Sequence, residues 1–223
     1  MSLRDRLKRM RDERQAKRPD LMQQLDLQTE RLRMLRQSED ALDVGDLLPE
    51  GELLGGDGAP FPVYRLLASG PLALVFYRGA WCPFCSESLL ALEEVKGRLN
   101  ALGYTLAAVS PDRPALLAEQ ARDAGLSFPL LSDPRSAFAQ LCGLDFAIAP
   151  AYVEQYRALG TDLPARHGDD RWHLPVPGAF LIDRDGTVRF AYKNADPTER
   201  VEPAELLAAA AALTAQAAEG KAG

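Results

Sequence analysis

Histidine and cysteine are scarce, with two and three residues among 223. A structural zinc site takes four ligands. Cys82, Cys85, Cys142, His167 and His173 offer one Cys-x-x-Cys pair and no second. Long apolar runs are also missing. The longest strongly apolar stretches, 72–77 and 206–213, fall far short of the ~20 residues that span a bilayer. The opening MSLRDRLKRMRDERQ has no apolar core of a secretory signal, and Asp5, Asp12 and Glu13 interrupt the pattern of an organelle transit peptide. Basic charge is not in excess either. The 26 Lys and Arg face 32 Asp and Glu, a net charge of −6, which argues against a generally basic nucleic-acid binder. These absences point to a cytoplasmic setting with no nucleic acid, no membrane and no cofactor. There, three cysteines do not form a structural disulfide framework.

What is present is ordinary globular composition, 47% apolar and 26% charged. Charge is uneven: residues 1–40 carry a net +3 and the remainder −9. Leu3, Leu7 and Met10 fall on one helical face, as do Leu21, Leu25, Leu32 and Leu35, with Pro19 between the two helices. Residues 1–40 therefore read as a helical extension and 41–223 as one domain. The narrow apolar stripes need a surface to pack on. A resting place on the chain's own domain is preferred to a dimerisation arm, which leaves a homodimer open.

Residues 41–60, rich in Gly, Pro and Asp, read as loop or weak hairpin. Strand-like runs at 72–77, 104–109 and 128–131 then alternate with helical periods at 86–102 and 114–124, the latter stopping at Gly125. Asp133-Pro134 predicts a helix running to about Cys142. Residues 143–177 show no period beyond a helix near 151–159, as expected of a lid or binding loop. A hairpin around Asp185-Gly186 follows over 178–193, and then a final Ala/Leu-rich helix over 202–218. Such alternation predicts an α/β fold, a central mixed sheet with helices on both faces.

The chemistry-bearing feature is a buried strand running into Cys82-Pro83-Phe84-Cys85 and then a helix. The strand delivers the loop to the carboxyl edge of the sheet, where open α/β sheets place their sites. The helix N-terminus favours thiolate over thiol. Cysteines three apart on a helix are neighbours within disulfide reach. Two cysteines beside a βαβ pattern therefore read as a dithiol–disulfide redox pair.

Trp81-Cys82-Pro83-Phe84-Cys85 after an apolar strand resembles a thioredoxin-fold active site. More of the chain resembles the peroxiredoxin-like branch of the alkyl hydroperoxide reductase/thiol-specific antioxidant superfamily. The matching stretches are 77–85 (YRGAWCPFC), 107–112 (AAVSPD), 128–134 (FPLLSDP) and 178–183 (GAFLID). The resemblance implies a thioredoxin-like fold over roughly residues 41–215. It also implies a thiol-dependent antioxidant enzyme that reduces hydroperoxides and is recycled by a thioredoxin- or glutathione-type reductant. On that alignment Cys85 is the attacking cysteine and Cys82 the resolving one. Local physics favours the reverse, since the first cysteine of a thioredoxin-type site is the more exposed and acidic.

Several positions depart from the family. Cys82 stands where peroxiredoxins hold Thr or Ser, and Arg78 where they hold Pro. Pro177 stands where they bring an Arg before a later strand. Arg78 is thus either a replacement cation near the thiolate or a solvated surface residue. Pro177 matches the proline that thioredoxins hold cis opposite their cysteines, and with Trp81 and Arg78 it is expected to position substrate. The position of the thioredoxin buried acid holds Phe76. His167 and His173 read as solvent-facing loop residues, and Cys142 as a small core residue. Phe146, Tyr152, Tyr156 and Trp172 are candidates for a pocket lining or for core. The alternatives to a peroxidase are a protein disulfide oxidoreductase using the same cysteines and a non-catalytic zinc or redox-sensing module.

Overall fold

The computed structural model describes residues 1–222. Its centre is β3 (Leu72–Phe76), all five residues of which are buried. It pairs in parallel with β4 (Thr105–Ser110) and antiparallel with β8 (Gly178–Ile182). The sheet extends through β5 (Leu130–Ser132) to the β1–β2 hairpin (Glu52–Leu54, Pro60–Pro62), and on the other side to β9 (Val188–Lys193). The order β2-β1-β5-β4-β3-β8-β9 is mixed, as the closing hairpin predicts. The fold is thioredoxin-like, with helices on both faces of the sheet.

Successive strand residues face opposite sides, so the sheet separates two apolar layers. Ala73, Val75, Leu106, Ala108 and Leu181 face α3 (Pro83–Ala101), α4 (Pro114–Ala124) and α8 (Pro203–Ala222). Leu72, Leu74, Phe76, Val109 and Phe180 face α5 (Ala137–Leu141) and α6 (Pro150–Ala158). Because β3 and β4 are parallel, their carboxyl ends coincide. Phe76 sits opposite Val109 and Gly178, which brings the chain from Tyr77 onward beside Ser110–Asp112.

The N-terminal helices, α1 (Leu3–Lys17) and α2 (Pro19–Met34), bridge the two layers. Leu3 and Leu7 join the α3/α8 layer, and Leu32 joins the α5/α6 layer. A capping box of Ser2 and Asp5 starts α1, and the Glu202 carboxylate accepts from the N–H groups of Leu3 and Arg4. Burying each leucine stabilises the arm by roughly 1.5–3 kcal/mol. Exposed ion pairs such as Lys8–Asp12 are screened by solvent and salt and add little. Apolar docking therefore dominates. The buried set of α2 is Met22, Gln28, Thr29 and Leu32, while Leu35 is exposed. That differs from the leucine stripe read from the sequence, because α2 also packs a polar face on α6.

Two further expectations change. The helix expected from Asp133-Pro134 is broken by a turn over Pro134–Ser136 in which Arg135 and Ser136 are left-handed. Asp133 caps α5 instead, accepting from the N–H groups of Phe138 and Ala139 at 2.9 Å. Residues 143–177 are also not structureless. β6 (Asp145–Ala147) pairs antiparallel with β7 (His173–Pro175), closing a loop that holds α6 and α7 (Leu163–His167). Among the described residues, no helix is long and apolar enough to cross a membrane.

Candidate active site

The turn from β3 into α3 is fixed before the cysteines begin. Gly79 has φ +144°, and a Cβ there would lie 2.5 Å from Trp81 Nε1 and 2.8 Å from Asp112 Oδ2. Buried Asp112 accepts from the Ala80 N–H at 2.9 Å and holds both arms of the Arg166 guanidinium at 3.0 and 2.7 Å. Cys82 is the N-cap of α3, Pro83 its first residue, and Cys85 lies in its first turn. This is where proline loses no hydrogen bond and where unpaired N–H groups favour negative charge.

Both cysteines are free and buried, Cys82 at 2% exposure and Cys85 at 0%. Their environments differ. The Arg200 guanidinium donates to Cys85 Sγ at 3.2 Å. Its other arm is locked by the carbonyls of Pro197 and Glu199 at 2.7 and 2.6 Å. Burial works against charge on Cys85. The hydrogen bond from the Cys82 thiol, the cations Arg200 and Arg78, and the Arg78 backbone outweigh it and bring its pKa down to about 5. Cys82 moves the other way. Its hydrogen bond to Cys85, its burial and the neighbouring sulfur's charge hold it well above the usual thiol range. The pair thus carries one negative charge, on Cys85. The Arg200 guanidinium and the thiol of Cys82 thus both favour negative charge on Cys85 over Cys82.

Arg78 is 6% exposed, not a solvated surface residue. It donates to the Tyr156 hydroxyl at 2.6 Å, and that hydroxyl donates to Gln28 Oε1 at 3.0 Å. Its guanidinium lies 4.8 Å from the Trp81 ring centroid, and Trp81 meets Tyr156 edge-on at 5.7 Å. Arg78 Nε and Trp81 Nε1 have no hydrogen-bond partner. Beside this group lies a cavity of about 290 Å³, walled by Cys82, Phe84, Arg78 and Tyr156 on one side and by Met22 and Leu25 of the N-terminal arm on the other.

Pro177 does not follow the thioredoxin pattern. The described residues contain no cis peptide bond. Pro177 is buried, its carbonyl accepts from the Asn194 N–H at 3.1 Å, and it does not line the cavity. Its carbonyl is tied to Asn194 just beyond β9, and the neighbouring Val176 N–H donates to the Leu144 carbonyl at 2.8 Å. His167 is not solvent-facing. It is 8% exposed, with Nε2 4.0 Å from Asp112, and burial lowers its pKa. His173 pairs with Asp145 at 2.7 Å. Cys142 lies in the opposite apolar layer from Cys82 and Cys85. Of the four aromatic candidates only Tyr156 lines the cavity. Among the described residues, no group of three or more His, Cys, Asp or Glu is placed to hold a metal ion.

Sequence reasoning missed Arg200 and the arm residues Arg14 and Gln28. Arg200 is 115 positions from Cys85, in a segment without periodicity, so no local pattern marks it.

The AhpC/TSA family model matches residues 44–191. A putative peroxiredoxin of Mycobacterium tuberculosis is 37% identical over 162 residues, 72% of this chain and 90% of that protein. A putative peroxiredoxin of Haemophilus influenzae is 35% identical over 71 residues, 32% of this chain and 46% of that protein. Among solved structures, peroxidoxin BcpB of M. tuberculosis superposes with a TM-score of 0.59 at 22% identity, covering 77% of this chain and 97% of that one. Peroxiredoxin Q of Xanthomonas campestris gives 0.58 at 20% identity, covering 78% and 99%. These structures share the fold. On the family match and the M. tuberculosis relative, the chain belongs to the AhpC/TSA family.

Proposed function

We propose that this protein is a thiol peroxidase in which Cys85 attacks and Cys82 resolves. The observation that carries the reading is Arg200 donating to Cys85 Sγ at 3.2 Å, a fixed cation on a buried sulfur. The Cys85 thiolate attacks the terminal oxygen of a hydroperoxide and breaks the O–O bond. The departing alkoxide or hydroxide takes a proton and leaves as alcohol or water. Cys85 becomes a sulfenic acid. The Cys82 thiol, three residues away, condenses with it to form the Cys82–Cys85 disulfide and release water. Two electrons from an external thiol reductant restore the pair. A cytoplasmic setting, where thiols are kept reduced, suits this cycle.

Arg200 and Arg78 supply positive charge near Cys85, where the position of the family's Arg holds Pro177. Arg78 and Trp81 hold the loop and the cavity wall rather than the sulfur directly. The disulfide-oxidoreductase alternative needs an accessible, acidic first cysteine, and Cys82 is held in its thiol form.

The test is thiol loss on adding hydrogen peroxide to the reduced protein, folded and unfolded in urea, with each single Cys→Ser variant alongside. The folded protein should react faster by on the order of 10³-fold, a gain of the size expected for a positioned, activated nucleophile. Cys85→Ser should abolish that advantage, and Cys82→Ser should keep the first step while halting at a sulfenic acid. A folded rate no faster than the unfolded one would sink the reading.

A further inference from the structure

The cavity beside the cysteines opens onto the wrong sulfur for peroxide attack. Cys82 lines it and Cys85 does not. Once the pair is oxidised, however, Cys82 is the sulfur that an incoming thiol reaches. Attack there expels Cys85, and exchange is fastest when the departing sulfur is the more acidic one. Cys85 is that sulfur, since Arg200 is already in place to receive its charge. The cavity therefore faces the recycling half of the cycle.

Its walls say what kind of thiol fits. Two cations line it, Arg14 and Arg78, and no Asp or Glu does. Arg14 lies 5.6 Å over the Phe84 ring, and among the described residues no carboxylate lies within 4 Å of its guanidinium. Arg78 is buried with an unpartnered Nε. Leu21, Met22 and Leu25 supply the apolar wall. A volume of about 290 Å³ is near ten times the ~30 Å³ share of one water and at the lower limit of ordinary small-ligand pockets. It suits a small molecule and not the tip of a protein. Cys82, at 2% exposure beneath α2 and α6, offers a folded protein reductase almost no surface.

We propose that the N-terminal arm makes this cavity the docking site for a low-molecular-weight thiol bearing a carboxylate, which reduces the Cys82–Cys85 disulfide by attack on Cys82. The inference rests on the dithiol cycle above. The thiolate of the small thiol forms a bond to Cys82 Sγ while the Cys82–Cys85 bond breaks, leaving Cys85 as thiolate. A second molecule of the thiol attacks the mixed disulfide, releasing the oxidised small disulfide and returning Cys82 to its thiol form.

The experiment starts from protein oxidised with diamide, so that peroxide chemistry plays no part. Reduction rates are measured with 3-mercaptopropionate, with cysteamine as its cationic counterpart, with glutathione and with thioredoxin. The same small thiols on oxidised protein unfolded in urea give their intrinsic reactivities. In the folded protein the anionic probe should gain over cysteamine by about tenfold, the lower end of one charge-assisted contact. Arg14→Glu should reverse that preference and Arg14→Lys should keep it. Quenched reactions should carry the thiol adduct on Cys82. Equal preferences in folded and unfolded protein, an adduct on Cys85, or thioredoxin outpacing every small thiol by about a hundredfold would overturn the proposal while leaving the peroxidase reading intact. Failure of diamide to form the Cys82–Cys85 bond would remove both.

Discussion

Cys142 and Cys85 are both buried, in surroundings of opposite effect. Cys142 closes α5 at its C-terminal end, packed in the α5/α6 layer near the Asp133 carboxylate. Burial and then that carboxylate push its thiol far up. Cys85 is more deeply buried, yet it sits in the first turn of α3 under Arg200, with Arg78 nearby, and its pKa falls to about 5. Desolvation is common to both sites and opposes charge in both. The cations and the donated hydrogen bond separate them. A buried thiol here is held neutral by default, and charge is favoured only where the fold delivers a fixed positive charge from elsewhere in the chain.

Removing that charge is the sharpest way to break the contrast. Arg200→Gln takes away a charge-assisted hydrogen bond, worth roughly 1.5–3 kcal/mol. The midpoint of peroxide reactivity against pH should then move up from about 5 by about one to two units. Near pH 5 the rate should fall by about fivefold to fiftyfold, and near pH 8 by much less. Arg200→Lys should recover part of the shift. Stopped-flow rates across this range decide the matter. A uniform loss with no change in midpoint would mean that Arg200 holds structure without setting the charge.

The contrast also shows what a linear sequence reveals. The strand, the Cys-x-x-Cys turn and the following helix are local patterns, and each forms as read: β3 is buried throughout and α3 opens at Cys82. Asp112, within the AAVSPD stretch, anchors the loop ahead of the cysteines. What escaped is tertiary. Nothing near Arg200 marks it, since its partner is 115 residues away. Which cysteine its surroundings favour as the charged one turns on that distant cation, which helix-end reasoning alone does not include. Pro177 failed for a related reason. Its position matches thioredoxins, but its peptide bond is trans and its carbonyl is bonded to Asn194 beyond β9. The arm's leucines announced a packing surface, whereas the site it helps to build, through Arg14 and Gln28, depends on how α1 and α2 straddle the sheet.

The charge on Cys85 has a consequence for stability. Its folded pKa lies below the unfolded one, so its contribution is fully present above the ordinary thiol value of 9.0 and is lost as pH falls toward about 5. Cys82 is shifted up, and its contribution is lost only as pH rises beyond the ordinary thiol value. Asp133, raised to about 6 by burial, loses its contribution as pH rises from 3.8 through 6. His167, shifted down by burial, loses its contribution only as pH falls through and below 6.5. Between about pH 7 and about pH 8.5 the change is therefore dominated by Cys85, at no more than about 1.4 kcal/mol per pH unit. Urea unfolding of the reduced protein should show stability rising over this window, and Cys85→Ser should flatten the rise. An equal rise in both proteins would place the thiolate elsewhere.

The smallest expected effect tests the other side of the comparison. Cys142→Ala removes one sulfur from a closely packed layer and should cost about 1 kcal/mol or somewhat more in stability. It should leave the peroxide rate within about twofold of the parent, because a thiol in an apolar, acidic setting is neither nucleophile nor resolver. Iodoacetamide near neutral pH should accordingly label Cys85 in the folded protein in preference to Cys142, which should react only once urea exposes it. Mass analysis of the oxidised protein should place the disulfide between Cys82 and Cys85 with Cys142 free. A Cys142-containing disulfide would require the two apolar layers to exchange residues across a seven-stranded sheet. Its detection would show that the separation of Cys142 from the Cys82–Cys85 pair, on which the proposed cycle depends, is not maintained in solution.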